Sequence, residues 1–148
     1  MTETQPKMEI SCRDIDILEL LPQRPPFIMV DSLTIYSDKF VETEFRIKED
    51  NMMCEEGIFS ACGLIENIAQ TSAARIGYYY KYILKKPVQI GYVGAIRSLS
   101  IYRNPAVNEQ IRTRIEVEAE AFGMTSFSAF VYDAEGNILA EGQMKTAI

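Results

Sequence analysis

One acid stands out in this chain. Glu66 sits in the run Gly63-Leu64-Ile65-Glu66-Asn67-Ile68-Ala69-Gln70, near the start of the only long stretch with helical periodicity. Gln70, four residues on, shares its helix face, and Thr71 is close by. A carboxyl among apolar helix neighbours is desolvated, which favours its protonated form, and general-acid catalysis needs such a proton near neutrality. The plainer reading has Glu66 facing solvent or offsetting the positive end of the helix. Glu55 and Glu56, just before the helix, are candidate bases, although both read more naturally as solvated loop acids. Backbone N–H groups around Ala61, Cys62 and Gly63 offer donors that would polarise a carbonyl, as the start of every helix does.

What is missing bounds the chemistry as sharply. The 148 residues contain no histidine. Ser-His-Asp and Cys-His pairs, imidazole bases and His-bearing zinc sites therefore cannot be built from this chain alone. Cys12, Cys54 and Cys62 are odd in number and lack paired C-x-x-C spacing, which reads as reduced thiols in a cytoplasmic protein, with no metal or cofactor expected. Fifteen Lys and Arg stand against 21 Asp and Glu, a formal net charge of -6, which argues against a nucleic-acid partner. The polar start MTETQPKMEI is unlike a signal peptide, and no run approaches the ~18 apolar residues of a membrane span. The length fits one domain over 1–148, with 1–13 a loosely ordered N-terminus.

The elements that would position Glu66 follow from periodicity. Residues 60–84 predict a long helix, with Leu64, Ile65, Ile68, Ala69, Ser72, Ala73, Ile76 and Ile83 on a broad apolar face, so it is buried on most sides. Residues 14–21 predict a short leading helix stopped at Pro22, and 27–30 a short apolar strand. Over 40–48, Thr43, Phe45 and Ile47 alternate with Glu42, Glu44, Arg46 and Lys48, a strand with one wet face. Over 111–121, Ile111, Thr113, Ile115, Val117, Ala119 and Ala121 oppose charged residues in the same way. Strands over 127–132 and 138–145 flank a turn at 133–137, and 88–103 holds one or two more, interrupted near Gly94. The class is α+β: one buried helix with an antiparallel sheet curled around it. Tyr78, Tyr79, Tyr80 and Tyr82 crowd the helix end, as core and interface packing or as the lining of a pocket for an aromatic or conjugated group. Arg75, Lys81, Lys85, Lys86, Arg97 and Arg103 are either a basic surface for an acidic partner or ordinary solvated positions.

Four segments together resemble a known family. Leu21-Pro22-Gln23-Arg24-Pro25-Pro26-Phe27-Ile28-Met29-Val30-Asp31 is similar to the L-P-H-R-x-P-F-x-x-V-D opening of bacterial 3-hydroxyacyl-(acyl-carrier-protein) dehydratases. Leu64–Gln70 resembles their central-helix motif, in which an acid is followed four residues later by Gln. Tyr92-Val93-Gly94-Ala95-Ile96 and Arg103–Gln110 resemble their later strand and the turn before the next. The resemblance spans about residues 14–148. It implies a hotdog fold, dimers whose sheets join edge to edge, and thioester substrates in a tunnel along the dimer interface. Glu66 is then the catalytic acid, and substrate contacts fall at Gly63, Gln70, Thr71, Gly94 and Ala95.

The departures matter as much. The family's G-H-F-P-G stretch, whose His removes the α-proton, is replaced here by Met52-Met53-Cys54-Glu55-Glu56-Gly57-Ile58-Phe59, and Gln23 replaces the His of the opening motif. In the family dimer the His comes from one subunit and the acid from the other. The resemblance thus extends to the histidine-lacking, dehydratase-like proteins of aryl polyene synthesis. It implies half of a composite site, completed by a His-bearing hotdog partner and fed by an acyl carrier protein, with a homodimer as the other possible assembly and little activity expected from it. Two other readings stay open: a hotdog thioesterase that arranges Gln70 and Thr71 around water, and a non-catalytic module that binds acyl chains or stabilises a partner.

Overall fold

The computed structural model describes residues 11–87 and 92–147, with the backbone alone for 92–95. Most of the expected N-terminal segment over 1–13 and the first residues of the 88–103 region lie outside that range. The strands are β1 (Ser32–Tyr36), β2 (Phe40–Arg46), β3 (Cys54–Glu55), β4 (Ile58–Phe59), β5 (Tyr92–Ile101), β6 (Gln110–Ala121), β7 (Met124–Tyr132) and β8 (Ile138–Ala147). The one α-helix among the described residues, α1 (Ala61–Tyr78), continues into a π-helical turn over Tyr79–Ile83. The long helix expected over 60–84 is therefore present, with its last turn widened.

Six strands form one antiparallel sheet in the order β1-β2-β6-β7-β8-β5, while β3 and β4 make a separate small hairpin. Side chains on one face of the large sheet (Val41, Phe45, Ile111, Ile115, Phe127, Ala129, Val131 and Met144) bury against Leu64, Ile68 and Ala74 of α1. This is the hotdog arrangement that the resemblance implies, and the class is α+β.

Four local expectations change. The leading segment forms no α-helix but two 3-10 turns, Cys12–Asp14 and Ile17–Glu19, the second capped by Asp16 accepting the Leu18 N–H at 3.0 Å. The reason is burial: Ile15, Ile17, Leu20 and Leu21 are all buried, and an α-helix would place Ile15 and Ile17 on nearly opposite sides. Residues 27–30 form no strand among the described residues: Phe27 closes a turn onto the Arg24 carbonyl, and side chains of α1 take up the Phe27 carbonyl and both backbone groups of Met29; the strand instead starts at Ser32 as β1. Glu42, expected on the wet face of β2, is 6% exposed. Arg112 and Arg114 on β6 donate to its two oxygens at 3.1 and 2.9 Å and cover it. On β6 the pairing register with β7 shifts between Val117 and Ala119, and Ala119 and Ala121 emerge exposed rather than inward.

The interruption expected near Gly94 is a register shift between Val93 and Ala95 within the single strand β5. A second shift follows between Arg97 and Ser100, where Ser98 has φ 51. Tyr78 packs between Tyr36 and Tyr82, with ring centroids at 4.3 and 5.2 Å, so that part of the tyrosine cluster is packing.

Candidate active site

The site begins at the start of α1. Ser60 Oγ accepts the Gly63 N–H at 3.1 Å, and its carbonyl accepts the Leu64 N–H at 3.1 Å. This N-cap bond satisfies one of the helix's orphan donors and leaves the Gly63 N–H engaged within the chain. Gly63 also lies against the Phe59 ring so closely that a Cβ there would strike it. Ala61 and Cys62 are exposed beside it.

One turn on, Glu66 is half-buried, and its Oε1 accepts a hydrogen bond from Gln70 Nε2 at 2.9 Å. Gln70 is fully buried and makes two further bonds. Its Nε2 donates to the Phe27 carbonyl at 2.8 Å, and its Oε1 accepts the Met29 N–H at 2.7 Å. A main-chain N–H can only donate, so the Met29 bond fixes the direction of the amide, and that direction aims Nε2 at Glu66. The acid is therefore oriented by a side chain locked to a second segment.

Asn67 extends the lock. It is 1% exposed, donates through Nδ2 to the Met29 carbonyl at 2.7 Å, and accepts the Thr113 hydroxyl at Oδ1. Periodicity alone marked Asn67 only as a neighbour of Glu66. An amide between apolar positions of a buried helix was the available signal, since such a group must find partners. Thr71 lies on the sheet side of α1, fully buried, donating to the Asn67 carbonyl at 2.8 Å and 2.8 Å from Thr43 Oγ1.

Of the expected site residues, Glu66 and Gln70 are brought into contact. Gly63 stands at the helix start, Thr71 faces the sheet, and Gly94 and Ala95 lie on β5 at its register shift, with the Ala95 side chain outside the description. Glu55 and Glu56 are exposed on the β3–β4 hairpin, where Glu56 and Gly57 have φ 51 and 77. Three of the six expected basic residues are engaged within the chain: Arg75 with Glu120, Lys81 with Glu19, and Arg103 with Glu109 and Asp133. A cleft of about 400 Å³ runs between Ile17, Pro25, Ile28, Phe45 and Lys48, and Glu66 does not line it. Glu66 instead shares the uncovered side of α1 with exposed Cys62 and half-buried Ala69 and Ala73, all within roughly 60° of helix circumference.

Comparisons with known proteins bear on the family and the fold. The ApeP-like family, described as ApeP dehydratase, matches residues 15–147. No curated protein matches the chain. Among solved structures, the dehydratase heterocomplex ApeI:P from Xenorhabdus doucetiae superposes with a TM-score of 0.82 at 17% identity, covering 91% of each chain. The PaaI protein of the E. coli phenylacetic acid degradation operon gives 0.63 at 8% identity, over 78% of this chain and 81% of that one. A hypothetical thioesterase from Streptococcus pneumoniae, solved with coenzyme A, gives 0.63 at 10%, over 78% and 82%. At these identities the structural likeness establishes the fold.

Proposed function

The chain belongs to the ApeP-like dehydratase family, and from that premise we propose that it is the Glu66-bearing, histidine-lacking subunit of a composite dehydratase. Its substrates are 3-hydroxyacyl thioesters on an acyl carrier protein, in the synthesis of fatty or aryl polyene chains. The observation that carries this reading is the half-buried Glu66 oriented by a locked Gln70 in a chain without histidine. A related heterocomplex, ApeI:P, supports the two-subunit assembly.

The chemistry divides between the subunits. A base on the partner removes the α-proton, and the electron pair left behind forms the Cα–Cβ double bond. The β-hydroxyl leaves with the proton of Glu66 as water, and Glu66 is left as a carboxylate until the base returns the proton. The small side chains beside Glu66 (Cys62, Ala69 and Ala73) leave room for close approach of a second subunit, which would enclose the acid. A thioesterase reading needs Gln70 and Thr71 turned toward water. Here Gln70 spends its amide on Phe27, Met29 and Glu66, and Thr71 is fully buried against Thr43.

The test is to purify the chain alone and co-expressed with a histidine-bearing hotdog partner, then assay both on 3-hydroxyacyl carrier-protein thioesters. The complex is expected to turn over and the single chain not. Glu66→Gln in the complex should lower turnover by about 10²–10⁴-fold. Turnover by the chain alone that survives Glu55→Gln and Glu56→Gln would overturn the reading, as would an unimpaired Glu66→Gln complex.

A further inference from the structure

α1 meets the sheet through polar side chains as well as apolar ones. Asn67, Gln70 and Thr71 of the helix, Thr43 of β2 and Thr113 of β6 are all buried, and each of them is hydrogen-bonded. Apolar side chains of similar volume would hold a helix on a sheet about as firmly, since a buried polar group gives up water for every bond it makes. Apolar packing has no direction, however, whereas a hydrogen bond fixes both a distance and an angle. What a fully bonded seam adds here is a fixed position for the helix.

Each bond in the seam has only one possible sense. The Met29 carbonyl can only accept, so Asn67 offers it Nδ2 at 2.7 Å and turns Oδ1 toward Thr113, whose hydroxyl donates to that oxygen. The Thr71 hydroxyl spends its proton on the Asn67 carbonyl at 2.8 Å, so in the 2.8 Å contact with Thr43 the proton belongs to Thr43. Met29 is thus held at both main-chain groups, its carbonyl by Asn67 and its N–H by Gln70 Oε1 at 2.7 Å. Gln70 takes its direction from that N–H and passes it to Glu66 Oε1 at 2.9 Å. An unbroken run of bonds leads from β6 through Asn67, Met29 and Gln70 to the acid.

Glu66 and Asn67 are neighbours in sequence, yet they leave the helix about 100° apart, so the Asn67 amide reaches the acid only through this run. Thr113 lies a step further off, on the sheet. Without its hydroxyl, Asn67 Oδ1 has no donor, the amide is free to tilt, and Met29 moves with it. Such slack matters at a site of proton transfer, where a misplacement of 1 Å costs up to ~10²-fold in rate.

Resting on the composite dehydratase reading, we infer that Thr113 and Asn67 are positioning residues for Glu66. Thr113 fixes the Asn67 amide, Asn67 fixes Met29, and Met29 fixes the Gln70 amide that aims the acid at the β-hydroxyl.

The test uses the co-expressed complex on 3-hydroxyacyl carrier-protein thioesters, well below its melting temperature, and the purified chain alone. Thr113→Val keeps the side-chain shape and removes the hydroxyl; kcat should fall roughly tenfold with KM within about twofold of the wild type. Thr113→Ser returns the hydroxyl and should recover most of the lost kcat. Asn67→Leu should cost more, about 10²-fold in kcat, because it also frees the Met29 carbonyl; should it fail to fold, the two Thr113 variants decide. In the chain alone, Thr113→Val should shift the side-chain amide resonances of Gln70, and Thr113→Ser should shift them less. The inference is overturned if Thr113→Val keeps the wild-type kcat, if its loss falls on KM, if Thr113→Ser loses as much, or if the Gln70 resonances stay in place. A wild-type complex that does not turn over counts against the composite reading instead, and the Gln70 resonances then decide whether Thr113 sets that amide.

Discussion

Gln70 ties its own helix to a segment 41 residues earlier, accepting the Met29 N–H on one side and donating to Glu66 on the other. Gln70→Ala leaves the buried Met29 N–H without its partner and frees the Phe27 carbonyl, which belongs to an exposed residue. We expect a loss of about 1–3 kcal/mol in urea unfolding, from the one buried main-chain donor left unpaired. In the active complex the same change should lower turnover while the chain still assembles, because Glu66 loses its orienting donor; a stability loss with turnover unchanged would count against that role. At this scale the sequence displayed the acid and its Gln four residues later, since the spacing itself puts them on one face. It did not display that Gln70 and Asn67 reach out to Phe27 and Met29, since nothing local to either segment encodes a bond across 38 to 43 residues.

The elements were legible where burial has a single period. α1 shows in its 3.6-residue pattern, β2 and the first part of β6 in their alternation, and β7 and β8 in the turn residues between them. Where the covering group comes from elsewhere the pattern misleads. The leading turns bury Ile15, Ile17, Leu20 and Leu21 together, and Glu42 is sealed by arginines of another strand. The leading segment meets α1 at Gly77, whose missing side chain lets the Leu20 carbonyl touch the helix. Gly77→Ala gains helix propensity but forces that carbonyl away, and should cost about 1–3 kcal/mol net by thermal or urea unfolding. The β7–β8 turn depends on Asp133, which accepts the N–H groups of Glu135 and Asn137 and a bond from Arg103. The Asn137 N–H above all, with the Asn137 side chain and Arg103, holds its carboxyl below the usual range. A carboxyl lowered on folding stabilises above its unfolded pKa of about 4 and loses that contribution as pH falls through the lower folded value. Asp133→Asn should therefore be less stable than the wild type at pH 7, and the gap should close in acid.

For the whole molecule, the open side of α1 is where assembly is expected to show. Ala69→Arg places a long charged side chain on a half-buried position beside Glu66. The variant should melt close to the wild type yet fail to form a complex in light scattering; unchanged assembly would place the interface elsewhere. The sheet itself has two ends of different character. At one, the turn Cys12–Asp14 packs on β1; at the other, the order stops at β5, where Ile96 is exposed. A strand that ends a sheet presents a row of ungratified amides and carbonyls to whatever chain comes by. If a partner subunit covers that edge, as the composite reading proposes, the matter becomes one of supply for a cell: copies made in excess of the partner are the ones expected to clump. Balanced synthesis of the two subunits would then protect solubility as well as activity, and the yield of soluble chain should rise with the dose of its partner.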